Sequence, residues 1–156
     1  IIPYISGEEE KSEIEPLKIL GRIGLDGIEP EKQMVFSAHC NRVPVIDGHM
    51  ACVSVKLAKK PSIEQVLQLW NDFKSTPQQL KLPSAPPTSI IYREEKDRPQ
   101  PRLDRDAGNG MSVTVGRLRE CPVFDLRFVA LSHNMMRGAA AGGLLNAELL
   151  VAQGYL

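Results

Sequence analysis

Two strand-like runs near the C-terminus, residues 110–118 and 124–132, are joined only by residues 119–123. Parallel strands need a crossover of a dozen residues or more, so a join this short makes the pair an antiparallel hairpin. A chain built throughout of β-α-β repeats is thereby excluded. Residues 34–41 and 48–58 read as two further strands. In the second, Cys52, Ser54 and Lys56 alternate with Val53, Val55 and Leu57, the pattern of a sheet with one buried face. Residues 89–92 suit a short strand.

Three helices complete the pattern. The first starts at a capping Ser6 and Gly7, has Glu8, Glu9 and Glu10 at its positive end, and ends near Leu20 and Gly21. Pro16 predicts a kink or restart near Glu15. The second has Ser62 as its cap, and Ile63, Val66, Leu67 and Trp70 form one apolar stripe that packs on the sheet. The last covers residues 134–150. Its small residues at 138–143 would let the backbone approach a neighbour, with Leu144, Leu145, Leu149 and Leu150 as anchors. Residues 24–32 and the proline-rich 76–88 read as connections, and the charge-balanced 93–106 as a solvated loop or a subunit contact. About four strands and three helices give an α+β domain: a mostly antiparallel or mixed sheet with helices on one face.

Composition narrows the function. The 156 residues carry no net charge and 42% are apolar, which fits one globular domain and speaks against nucleic-acid binding through a basic surface. No apolar run approaches the roughly 18 residues of a bilayer span, so no membrane partner is expected. Cys40, Cys52 and Cys121 form no pairing pattern and suggest reduced thiols in a cytoplasmic setting. The chain opens on an apolar Ile1-Ile2-Pro3-Tyr4-Ile5 without an initiator Met, so it reads as a piece of a longer protein.

The chemistry gathers at Asn41-Arg42-Val43-Pro44-Val45-Ile46-Asp47-Gly48-His49, between two of the strand-like runs. A guanidinium fork grips a carboxylate through two parallel hydrogen bonds. Imidazole changes charge near neutral pH and so suits proton transfer. The Asp47-Gly48 step would turn the chain and aim His49. Glu15 and Lys18 share a helix face three positions apart, and alone they read as a solvated ion pair.

Four stretches carry a resemblance in order along nearly the whole chain: Ser6-Gly7-Glu8-Glu9-Glu10-Lys11, the Arg42–His49 stretch, Arg98-Pro99-Gln100-Pro101-Arg102-Leu103-Asp104-Arg105-Asp106-Ala107-Gly108-Asn109-Gly110-Met111, and Leu131-Ser132-His133-Asn134. They resemble the fungal and archaeal branch of the aspartate-β-semialdehyde dehydrogenases. The resemblance implies a C-terminal catalytic and dimerisation domain of glyceraldehyde-3-phosphate-dehydrogenase-like fold over residues 1–156. It also implies a homodimer or tetramer and a role in lysine, methionine and threonine biosynthesis. In that family a cysteine thiolate attacks an acyl phosphate, and NADPH reduces the thioester to the aldehyde. Arg42 resembles the substrate-carboxylate clamp and His49 the general acid/base. Glu15 resembles the carboxylate that meets the substrate ammonium, Lys18 the phosphate-binding lysine, and Asn134 a nicotinamide-side contact. The glycine-rich nucleotide turn and the Asn-Cys nucleophile motif are absent, so NADP would be bound mainly by another domain, and this chain alone should be inactive.

Three other readings compete. His39, Cys40, His49 and Cys52 have the softness for zinc, but adjacent strand residues point to opposite faces and no Cys-x-x-Cys pair exists. An N-acetyl-glutamyl-phosphate reductase uses similar thioester steps on a substrate that would not need Glu15. A purely structural dimerisation module needs no chemistry at all.

Overall fold

The computed structural model describes all 156 residues, Ile1–Leu156. They form two compact units, Ile1–Pro44 and Val45–Leu156.

The first unit contains α1 (Glu8–Ile19) and a small hairpin of β1 (Arg22–Gly24) and β2 (Gly27–Glu29). Gly7, at φ +74°, occupies the cap position expected of Ser6 and makes no side-chain cap bond. The acids Glu8, Glu9 and Glu10 follow in the first turn, where the helix dipole favours them. Pro16 lies inside one continuous helix, without the expected restart. The turn-rich 24–32 stretch is in fact the hairpin. Residues 34–41 are not a strand. The N–H groups that would feed a ladder donate instead to carboxylates one turn apart on α1: Ala38 to Glu13 and Cys40 to Glu9, both at 2.9 Å. Arg42 forms an isolated antiparallel bridge with Ile2. No residue of this unit is buried.

The second unit is built on a four-stranded sheet in the order β3-β6-β5-β4. The strands are β3 (His49–Val55), β4 (Ile90–Arg93), β5 (Val113–Glu120) and β6 (Leu126–Ser132). β3 and β5 both pair antiparallel with β6, and β4 runs parallel to β5. The hairpin read from the sequence and the α+β class are both present. A bulge interrupts β5 between Gly116 and Arg119, with Arg117 at φ +59°.

Helix α2 (Ile63–Asp72) begins with a full capping box between Ser62 and Gln65. Its Trp70 packs edge-on against Phe128 of β6 at 5.2 Å and lies 6.1 Å from Tyr92 of β4. Register places both rings on one face of the sheet. The core consists of Met111, Val115, Leu118, Leu126, Leu131 and Leu145.

Two expectations change here. The proline-rich connection holds a turn of helix, α3 (Thr76–Gln79), and the charged loop holds another, α4 (Pro101–Asp104). That loop is not simply solvated. Asp104 is 1% exposed and binds both Arg93, at 3.0 Å, and Arg98, while the Gln100 N–H donates to it at 2.8 Å. Hydrogen bonding from Arg98, supported by the Gln100 N–H, holds its carboxyl below the usual carboxylate range.

The last helix also departs from expectation. A π turn, Met136–Ala140, precedes α5 (Ala141–Ala152). His133 Nδ1 accepts the N–H groups of Met135 and Met136 at its start. Of the small residues, Gly142 is required by this wide turn. A Cβ on Gly142 would sit 2.3 Å from the carbonyl oxygen of Arg137, five residues back. Leu145 is buried, whereas Leu144 is 56% exposed.

Candidate functional site

In the first unit, Glu15 and Lys18 lie exposed on α1 and line one open cleft with Arg22, Ile19, Ile23 and Ile28. The ion pair expected between Glu15 and Lys18 does not form. Lys11 instead pairs with Glu8 at 2.9 Å, and Glu8 is the main cause of its raised pKa. Lys18 has no such partner and lines the cleft. Arg22 was not singled out from the sequence, yet it brings a second cation to the same cleft, held to Glu29 at 3.3 Å. Its place just after the Gly21 helix stop was the available signal. Arg42 is exposed, and its backbone is held by Ile2 through N–H to O bonds of 3.0 and 2.8 Å.

In the second unit, His49 is exposed at the first position of β3, paired with Ser132. One residue earlier, Gly48 is buried at φ +109°. A Cβ there would meet Leu131 Cδ1 at 3.1 Å and Pro101 Cβ at 3.4 Å, so the Asp-Gly step is a packed corner and not merely a turn. Gly48 N–H donates to Asn134 Oδ1 at 2.9 Å. The structure thus brings together two residues singled out separately, His49 and Asn134. The amide's orientation follows from chemistry: a backbone N–H can only donate, so the facing atom is the oxygen. The remaining NH2 of Asn134 is a donor.

The cysteines are separate from these groups. Cys40 lies outside any strand, and Cys52 is exposed on β3. Cys121, in the β5–β6 turn, accepts the Phe124 N–H at 3.4 Å, and this contact lowers its pKa. No group of three or more His, Cys, Asp or Glu side chains is arranged to hold a metal ion. No helix is long and apolar enough to cross a membrane.

Comparison with known proteins gives a consistent result. Residues 1–137 match the model of the family described as semialdehyde dehydrogenase, dimerisation domain. The chain is 47% identical to the aspartate-semialdehyde dehydrogenase of Cryptococcus neoformans, over 100% of this chain and 44% of the relative. It is 50% identical to that of Archaeoglobus fulgidus, over 98% of this chain and 43% of the relative. The structure superposes on Candida albicans aspartate semialdehyde dehydrogenase, solved with NADP, with a TM-score of 0.89 and 44% identity. That match covers 99% of this chain and 45% of the solved one. The chain thus spans less than half the length of the proteins it matches.

Proposed function

The chain belongs to the semialdehyde dehydrogenase dimerisation-domain family, and from that premise we propose that residues 1–156 are the C-terminal catalytic and dimerisation domain of an aspartate-semialdehyde dehydrogenase. The whole enzyme would reduce β-aspartyl phosphate to aspartate semialdehyde with release of phosphate. The observation that carries this reading is that relatives matching 98–100% of the chain share one activity in their names.

Each side chain has a role suited to its chemistry. Arg42 would grip the substrate carboxylate through its fork. Glu15 would meet the ammonium, and Lys18 the phosphate. His49 would take the proton of a nucleophilic cysteine supplied by another part of the protein and later hold a proton at the reacting oxygen. The NH2 of Asn134 fits a cofactor carboxamide oxygen, because the other end of the amide is committed to Gly48. NADPH, when bound, supplies the hydride. Two such domains would pair about a two-fold axis.

The test is an assay of the full-length protein for NADPH formation from aspartate semialdehyde, with and without phosphate. Turnover should require phosphate and fall about a hundredfold or more in His49→Ala. Residues 1–156 alone should give none. Glu15→Ala should raise KM for aspartate semialdehyde selectively, whereas an unchanged KM would favour a substrate with an acylated amine. Phosphate-independent turnover, or none at all, would remove this assignment.

A further inference from the structure

The β3–β6 ladder ends at the pair His49 and Ser132. One residue beyond, the carbonyl of His133 turns away and accepts the N–H of Gly138 at 3.1 Å. Backbone pairing therefore does not hold the chain that leads into His49. The side chain of Asn134 holds it instead, across 86 positions of sequence. Gly48 is the only buried residue between Asn41 and Met50, and a Cβ on it would meet Leu131, Pro101 and Arg105. Pro101 and Arg105 flank Asp104, whose carboxylate is itself anchored by Arg93, Arg98 and the Gln100 N–H. The His49 ring makes no hydrogen bond within the chain, so what the fold sets is its Cα–Cβ direction, through the backbone at Gly48.

We propose that Asn134 is a positioning residue that acts on the reaction through His49: its carboxamide oxygen holds Gly48 N–H and so sets the direction in which His49 leaves the sheet. This rests on the reading of His49 as the proton-transferring residue, and it goes beyond a cofactor contact. Without the acceptor, Gly48 N–H loses its partner at a buried corner, and the first residue of β3 gains freedom. A displacement of about 1 Å at a catalytic group can cost about a hundredfold in rate.

The test uses the full-length enzyme. Asn134→Ala should lower kcat about tenfold to a hundredfold, a loss that saturating NADP does not restore, whatever the change in KM for NADP from the missing carboxamide donor. Asn134→Asp keeps the acceptor and should recover most of the lost kcat. In a His49→Ala background, Asn134→Ala should cost nothing more, because the two act as one unit. The chain's three histidines give an independent readout. In NMR of histidine-labelled protein, Asn134→Ala should move the His49 ring signals and leave those of His39 unchanged.

A kcat within about twofold of wild type in Asn134→Ala would overturn the proposal. So would a rise in KM for NADP alone, equal losses with and without His49, or no recovery in Asn134→Asp. If His49→Ala itself keeps full turnover, the reading of the site fails and takes this inference with it. Collapse in His49→Ala beside an intact Asn134→Ala overturns the inference alone.

Discussion

The two units hold their shape by different means. Val45–Leu156 contains every residue of the apolar core, and its sheet pairs backbone with backbone. Ile1–Pro44 has no buried residue and leaves Ile1, Ile19, Ile23 and Leu25 between 78% and 105% exposed. Its extended segment is tied to α1 through carboxylates, not through a neighbouring strand. The candidate substrate-binding groups Glu15, Lys18 and Arg42 sit in the unit without a core, and the candidate proton-transfer group His49 in the unit with one. A carboxylate clamp tolerates some movement, because a guanidinium reaches far and follows its ligand. Proton transfer depends steeply on distance and angle and needs a stiff base.

The contrast can be broken first by deleting apolar volume. Leu131→Ala, at a side chain 1% exposed, should cost about 3 kcal/mol in denaturant unfolding. Ile23→Ala, 90% exposed, should stay within about 0.5 kcal/mol. Equal costs would mean that the first unit has a core of its own.

The next effect is electrostatic. Asp104→Asn should cost about 2 kcal/mol at neutral pH, since it removes the charge from hydrogen bonds with two arginines. The Asp104 carboxyl is held below its ordinary value, so its stabilisation is complete above about pH 4 and fades as pH falls toward the folded value. Melting curves of wild type and Asp104→Asn should therefore converge in acid; a gap that stays constant would count against the buried ion network.

The smallest effect sharpens the contrast from the other side. Glu9→Ala with Glu13→Ala should barely move global stability, yet speed amide exchange at Ala38 and Cys40 about fivefold, following the loss of roughly 1 kcal/mol per bond. Unchanged exchange would show that something other than these carboxylates protects the segment.

Local signals were legible in the sequence where they coincided with local causes. Ser62 and Gln65, followed by the half-buried Ile63, Val66, Leu67 and Trp70 stripe, specify both the start and the inward face of α2. The short join before Phe124 specifies the β5–β6 hairpin. His49 stands at a strand start because Asp47-Gly48 turns the chain there. Residues 34–41 look like a strand in composition, but pairing needs a partner with free backbone groups, and side chains on α1 had already taken the donors. Asp104 reads as one charge among ten, because balanced charge says nothing about which carboxylate goes inside. The bond between Asn134 and Gly48 joins residues whose neighbours give no hint of each other. Periodicity reports faces, and such a bond follows only from the assembled sheet.

The bulge in β5 has a consequence for how the hairpin tolerates change. Gly116 faces Val129 and Arg119 faces Arg127, so two residues of β5 stand opposite Phe128 alone. Odd-numbered positions lie on the Trp70 side of the sheet before this point and on the other side after it. Arg117 and Leu118 thus behave as a frameshift written into the strand. Removing either one would restore strict alternation and leave Arg119 opposite Arg127, on the face it already occupies. A residue lost from the turn at 121–124 changes only the length of a loop.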